Sequence, residues 1–269
     1  MNLSITPGTN NVGAYINDID LKNFNETLLL EIKKTLNQFG VIFIKKQNLD
    51  PDAYQNFAKI IGQPVVYPRL KGLDKKFPFI NVIERKPDDK NLSFGSSWLH
   101  QDTSYLSNDR PRYTMLMGVE IPEGQGNTIF SSGFNAYEKL PERIKDKIKN
   151  ATGIFSSAGP IAVTRLEREK EMGIKSSESM EAEHPIVKTV DGKKTLYVSP
   201  GHLIKVKNVD DSESENLKNY LIDHVNKDEF IFSYEWSKGD ICLWDNLSIL
   251  HMASEIKNCR RVMHRITIK

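Results

Sequence analysis

With 269 residues, 39% of them hydrophobic and 27% charged, the chain has ample material for one large domain and is not composed like a disordered one. A formal net charge of +2 supplies no basic surplus for nucleic acid, and two cysteines, Cys242 and Cys259, are too few for a disulfide framework. Met1-Asn2-Leu3-Ser4 lacks the basic-then-apolar pattern of an export signal, and no apolar run nears the ~18 residues of a membrane span, so the expectation is a cytoplasmic protein without a membrane partner.

In chain order, residues 25–40 read as a helix: Asn25 can cap it, Leu28, Leu29, Ile32, Leu36 and Phe39 form its apolar stripe, and Gly40 ends it. Val41-Ile42-Phe43-Ile44 follows as a buried strand. Asp50-Pro51 opens a second helix that Gly62 closes. Residues 63–76 are loop-like, with Tyr67, Arg69 and Lys71 among them; Arg69 is a candidate anion contact if that loop folds over a site.

Short strands are expected over 79–83, 112–120 and 128–130, the last two separated by the turn Pro122-Glu123-Gly124-Gln125-Gly126-Asn127. Residues 134–149 have helical spacing broken at Pro141. The stretch 164–184 is the most polar in the chain and reads as a solvated loop or a lid. Asp191-Gly192 signals a hairpin between strands 186–190 and 195–198. Ser212 with Glu215 predicts a capping-box start to a helix through Leu217, Leu221 and Val225. Strands at 230–234, 241–244 and 261–268 complete a single domain of many short strands with helices at the periphery, which favours a closed or sandwiched antiparallel architecture.

The chemistry begins at Ser97-Trp98-Leu99-His100-Gln101-Asp102. In an extended segment His100 and Asp102 would share a face, roughly 6.6–7 Å apart along the backbone, and could converge on one ion. Two His and one carboxylate form the facial triad that leaves metal positions open in non-haem iron oxygenases. A lone His-x-Asp is a weak signal, so a third ligand matters. His184, His202 and His224 are more simply surface or packing residues; His251, just beyond the apolar run 241–244, is well placed for the role. In a strand over 261–268, Arg261, Met263 and Arg265 share a face. The two guanidinium groups are separated by about 13 Å of backbone, so they suit two anions better than one.

These motifs, in this order, resemble the taurine dioxygenase family of Fe(II)- and 2-oxoglutarate-dependent dioxygenases, which includes 2,4-dichlorophenoxyacetate dioxygenases and alkylsulfatases. The match runs from Trp98-Leu99-His100-Gln101-Asp102 through Asn127-Thr128, Leu196-Tyr197-Val198 and Trp244-Asp245-Asn246 with His251, to Arg261-Val262-Met263-His264-Arg265. The resemblance implies a mainly β double-stranded β-helix, or jelly roll, over 1–269. It implies Fe(II) on His100, Asp102 and His251, and 2-oxoglutarate held by Thr128 and Arg261. Arg265, Thr103 and Arg69 would face a small anionic organic substrate. With O2, 2-oxoglutarate would become succinate and CO2 while the substrate is hydroxylated, in a protein of dimeric or tetrameric type. Arg69, where taurine-cleaving members have a histidine, and Ser96, where they have an asparagine, leave sulfonate, carboxylate and phosphonate substrates open. Read without the resemblance, the residues also allow a non-catalytic metal- or anion-binding barrel, or a zinc hydrolase, although the latter gives Thr128 and Arg261 no task.

Overall fold

The structure is a computed structural model that describes residues 3–67, 70–89, 95–108, 110–162, 166, 170 and 179–269. In chain order its elements are β1 (Ser4–Pro7), β2 (Ala14–Asn17), α1 (Glu26–Phe39), β3 (Val41–Ile44), α2 (Pro51–Ile61), β4 (Pro64–Val65), β5 (Asn81–Arg85), β6 (Tyr113–Glu120) and β7 (Thr128–Ser132). They continue with α3 (Gly133–Glu138), α4 (Glu142–Ile148), β8 (Thr152–Ser156), β9 (Glu181–Pro185), β10 (Val187–Val190), β11 (Lys193–Leu196) and β12 (Leu203–Lys207). The chain closes with α5 (Asp211–Val225), β13 (Ile231–Tyr234), β14 (Ile241–Asp245), β15 (Ile249–Ala253) and β16 (Arg261–Ile268).

Helix boundaries follow local chemistry. The Asn25 side chain accepts from the Leu28 amide at 2.9 Å, and Gly40 ends α1 in the left-handed region at φ 78°. Asp50 caps α2 in the same way, accepting from the Ala53 amide at 2.8 Å. The large sheet has strand order β1-β2-β3-β14-β6-β16-β4, with β5 also on β16. A smaller sheet, β13-β7-β15, faces it, so strands 3, 14, 6 and 16 form one wall of the sandwich and strands 13, 7 and 15 the other. This is the jelly-roll architecture expected from the sequence.

Side-chain alternation assigns each face. Ile42 and Ile44 pack outward with Ile32 and Leu36 of α1 and with Tyr54 and Phe57 of α2. Val41 and Phe43 point inward, among Phe130, Tyr234 and Ile249 of the small sheet, and the Phe43 and Tyr234 rings stack with centroids 4.5 Å apart. Burying each such side chain contributes about 1.5–3 kcal/mol before conformational entropy is counted. On β16 the same rule puts Met263 in the inner core and Ile266 and Ile268 in the outer one. Arg261 and Arg265 therefore enter the interior of the sandwich. A third cluster joins α3 and α5 to β8, β11 and β12 through Phe155, Leu196, Leu203, Leu217 and Leu221.

Several expectations are corrected. The helix expected to start at Ser212 begins at Asp211, after Asp210, with no side-chain cap; Ser212 lies inside its first turn, where Asp211 and Glu213 complement the positive end of the helix. The polar stretch 164–184 ends in a strand, β9, paired antiparallel with β8, so that only alternate side chains such as Ala182 and His184 are buried. Residues 163–165, 167–169 and 171–178, on which the loop-or-lid reading falls, lie outside the described residues, as do Pro68 and Arg69. The strand expected over 79–83 occupies 81–85 instead.

Candidate active site

The segment carrying His100 is not free-standing. The His100 amide donates to the His251 carbonyl at 3.0 Å and the His251 amide donates back at 2.9 Å, a two-bond antiparallel bridge. The Ala253 amide donates to the Gly95 carbonyl at 3.0 Å, pinning the entry to the segment against the same strand. His251 lies within β15, flanked by apolar Ile249 and Leu250, rather than in a turn after β14. The bridge brings the two imidazoles to a centroid separation of 4.4 Å. Beyond His100 the chain does not stay extended. It turns, and Thr103 takes φ 52°, a left-handed conformation that a β-branched residue rarely adopts.

One atom each of His100, Asp102 and His251 lie within 4.8 Å of one another, and all three residues are buried. His100 Nδ1 lies 3.0 Å from the Trp98 carbonyl oxygen, which leaves Nε2 to face the gap. His251 Nε2 stands 3.9 Å from Asp102 Oδ1. A Cβ on Gly95, itself at φ 70°, would lie 3.3 Å from His100 Cε1, so glycine keeps the rim of the gap clear.

The electrostatics suit a cation. Burial favours a neutral Asp102, yet Arg265, His251, His100 and the Thr114 hydroxyl together hold the carboxyl well below its ordinary range. Burial, reinforced by His100, pushes His251 down to about 3 and lowers His100 as well, so both imidazoles are neutral and able to ligate. The set is one anion and two neutral nitrogens on one side of a small gap, with Oδ2 of Asp102 occupied: Thr114 Oγ1 donates to it at 2.6 Å and Arg265 Nη2 lies 2.7 Å away. Such a set fits an octahedral divalent ion with one face open, and not a closed structural zinc.

A cavity of about 430 Å3, its mouth included, opens beside this gap and is lined by Ile83, Leu116, Thr128, Trp244, Arg261 and Arg265 along with the three clustered residues. Arg261 is buried, its Nε and Nη2 lack hydrogen-bond acceptors, and burial lowers its pKa to about 10. A desolvated guanidinium without an anion is costly, and the cavity in front of it is where an anion would relieve that cost. Thr128 lies on the same cavity. Its Oγ1 accepts the Trp236 indole N–H at 3.0 Å; because that indole can only donate, the threonine keeps its own proton for a further acceptor. Gly126, at φ 74°, leaves room for the arginine, since a Cβ there would sit 2.7 Å from Arg261 Cδ.

The expected residues thus divide. His100, Asp102, His251, Thr128, Arg261 and Arg265 surround one cavity. Thr103 is adjacent, with its buried hydroxyl unpartnered. Arg265 also stacks on Tyr67, its Cζ 4.9 Å from the ring centroid, so the chain just after β4 reaches the site at Tyr67. His202 is a buried packing residue, as one of the two readings had it, and it packs at the site: its ring stands edge-on to His100 at 5.9 Å, with Nδ1 2.9 Å from Ser104 Oγ. Sequence reasoning gave no role to Thr114 or Trp236, and quoted Asn246 in a motif without one; their partners are distant in the chain and are met only in the fold.

Comparison with known proteins agrees with this geometry. A family profile described as "Taurine catabolism dioxygenase TauD, TfdA family" matches residues 4–267. An alkylsulfatase of Acinetobacter baylyi is 30% identical over 273 residues, covering 97% of this chain and 83% of that protein. An alpha-ketoglutarate-dependent sulfate ester dioxygenase of Pseudomonas putida is 26% identical, covering 100% and 90%. The crystal structure of a putative alpha-ketoglutarate-dependent taurine dioxygenase from Burkholderia xenovorans superposes with a TM-score of 0.83 at 25% identity, over 99% of this chain and 89% of that one.

Proposed function

The chain belongs to the taurine dioxygenase family of Fe(II)- and 2-oxoglutarate-dependent dioxygenases, and from that premise we propose that it hydroxylates a small organic anion at the cavity described above. The observation that carries the reading is the pairing of an open His-Asp-His cluster with a buried guanidinium whose Nε and Nη2 find no acceptor among the described residues, on one cavity. His100, Asp102 and His251 would hold Fe(II) on one side. Thr128 and Arg261 would hold the distal carboxylate of 2-oxoglutarate through charge-assisted bonds. When bound, Fe(II) with 2-oxoglutarate and O2 supplies the oxidising power that converts a substrate C–H to C–OH as 2-oxoglutarate is decarboxylated to succinate.

The remaining tasks fall to the chain itself. Arg265 faces the cavity with a guanidinium still able to donate, and would take the substrate's anionic group while keeping its contact with Asp102. Thr103, held in its strained turn, and Arg69 on the 63–76 loop would contact the same substrate. The apolar lining from Leu116, Ile83 and Trp244 limits water at the reacting centre. Relatives named for sulfate esters make an alkyl sulfate the first substrate to try. Hydroxylation at the carbon bearing the ester oxygen gives an adduct that breaks down to an aldehyde and inorganic sulfate.

Residues 1–269 are read as a single oxygenase domain, supported by a family profile spanning 4–267. Among the described residues no helix is long and apolar enough to cross a membrane, and Cys242 and Cys259 are both free. These facts support a cytoplasmic setting; dimeric or tetrameric assembly is read by light scattering. The deciding experiment measures succinate formation across alkyl sulfates, alkyl and aryl sulfonates, phosphonates and aryloxy acids, with Fe(II), ascorbate and air, and for the alkyl sulfates the inorganic sulfate released alongside it. Turnover supported by zinc, or independent of 2-oxoglutarate, refutes the reading.

A further inference from the structure

Behind Asp102 runs a chain of buried hydrogen bonds that the oxygenase chemistry does not itself require. Trp244 Nε1 donates to Asn246 Oδ1 at 3.0 Å; Asn246 Nδ2 donates to Thr114 Oγ1 at 2.9 Å; Thr114 Oγ1 donates to Asp102 Oδ2 at 2.6 Å. All four residues are buried. Trp244 and Thr114 are brought together by register, as Cα partners in the pairing of β14 with β6.

The two ends of this chain fix its direction. An indole N–H can only donate, and an ionised carboxylate can only accept. The amide of Asn246 must therefore turn its oxygen to Trp244 and its nitrogen to Thr114, and the Thr114 proton is left for Asp102 alone. Every link points its donor toward the carboxylate. The Trp244 ring also lies 4.6 Å, centroid to centroid, from that of His251. One side chain thus packs against one candidate metal ligand and starts the hydrogen-bond chain that ends on another.

We propose that Trp244, Asn246 and Thr114 form a positioning relay that locks Oδ2 of Asp102 away from the cavity, so that the carboxylate offers the metal Oδ1 only. A carboxylate free to swing would have to be ordered as the metal binds, at a cost in affinity, and its second oxygen could then take up a coordination position that the co-substrates need. With Oδ2 engaged by Thr114 and Arg265, the two-oxygen mode is closed off. The proposal rests on the reading of Asp102 as a metal ligand.

The test is anaerobic Fe(II) binding by equilibrium dialysis, with no turnover involved, in the wild type and in Thr114→Val, Thr114→Ser, Trp244→Phe and Asp102→Ala. Outer partners of metal ligands are typically worth about 10–100-fold in affinity. Thr114→Val should weaken Fe(II) binding by that factor, and Thr114→Ser, which restores the hydroxyl, should bind within about threefold of wild type. Trp244→Phe keeps the ring on His251 but frees the Asn246 amide; it should weaken binding by a smaller factor and raise the 2-oxoglutarate consumed per product formed. The relay is overturned if folded Thr114→Val binds Fe(II) as the wild type does, or if Thr114→Ser is as weak as Thr114→Val. Should Thr114→Val not fold, wild-type Fe(II) affinity and coupling in Trp244→Phe overturn it equally. If Asp102→Ala keeps full affinity, the metal-site reading fails instead, so the two failures are distinct.

Discussion

Arg265 rests its Nη2 2.7 Å from Asp102 Oδ2 inside the sandwich, with no aligned hydrogen-bond acceptor for either Nη. The cation assigned from the sequence to the substrate is therefore already in ionic contact with the carboxylate assigned to the metal. The two charges compensate each other's desolvation while Arg265 keeps donors to spare for an incoming anion. Arg261, on the same face of the same strand, has no such acid among the described residues. The two arginines differ in this one respect, and the predictions turn on it.

Replacing Arg261 by methionine should raise the 2-oxoglutarate concentration needed for half-maximal succinate formation by about ten- to hundredfold. That corresponds to losing a charge-assisted bond of about 1.5–3 kcal/mol. The substrate requirement should change little. The ligand-free variant should melt at or above the wild-type temperature, because an unpaired buried cation has been exchanged for an apolar side chain. A clear drop in Tm with unchanged 2-oxoglutarate dependence would make Arg261 structural.

Arg265→Met should behave oppositely. Asp102 would lose its closest cationic partner in the interior, so Tm should fall by several degrees and Fe(II) binding should weaken, with the substrate requirement rising more than the 2-oxoglutarate requirement. Unchanged stability by thermal melting would show that the pair contributes little.

His251→Ala should abolish Fe(II)-dependent succinate formation and reduce anaerobic Fe(II) binding, because only His100 and Asp102 would remain. Wild-type turnover in that variant would remove His251 from the site.

Gly126→Ala places a methyl group 2.7 Å from Arg261 Cδ at φ 74°. The backbone strain alone should cost about 1 kcal/mol. Displacement of the arginine should weaken 2-oxoglutarate binding, read by titration, more than it weakens Fe(II) binding. Equal losses for both ligands would mean a general disturbance.

Burial, with Lys188 and Arg110 nearby, pushes His184 down to about 4. In the unfolded chain it would protonate near pH 6.5, as ordinary histidines do. Between those values the unfolded state takes up a proton that the folded state refuses, so stability is full above about pH 6.5 and falls as pH drops toward 4. His184→Gln should flatten that part of the Tm-versus-pH curve for Fe(II)-loaded protein, while leaving the values above pH 7 close to parallel. An identical slope would assign the acid sensitivity elsewhere.

How much of this was legible follows from the range of each signal. The four apolar residues of β3, the capped helices α1 and α2, and the shared face of Arg261, Met263 and Arg265 are local patterns, and they appear where expected. β9 was read as loop because alternation in Glu-Ala-Glu-His-Pro buries only Ala182 and His184, which do not look like strand core. His100 and His251 could be nominated by motif, but their reciprocal backbone bridge could not, since nothing in either segment names the other. His100 and Asp102 could be paired by their two-residue spacing, but the left-handed turn that follows at Thr103 carries no signal in the sequence. Thr114 and Asn246 carry no motif that joins them to Asp102; only the pairing of β14 with β6 makes them neighbours.

The placement of β16 between β6 on one side and β4 and β5 on the other has a consequence for biosynthesis. A ribosome releases His100, Asp102 and Thr128 long before it makes His251 and the arginine pair, so an emerging chain carries only half of the cavity's polar lining. Until β14 and β16 arrive, β6 presents two open edges. Pairings this distant along the polypeptide close slowly and leave those edges exposed in the meantime. Closure of the cavity between the two sheets is therefore among the last events of folding.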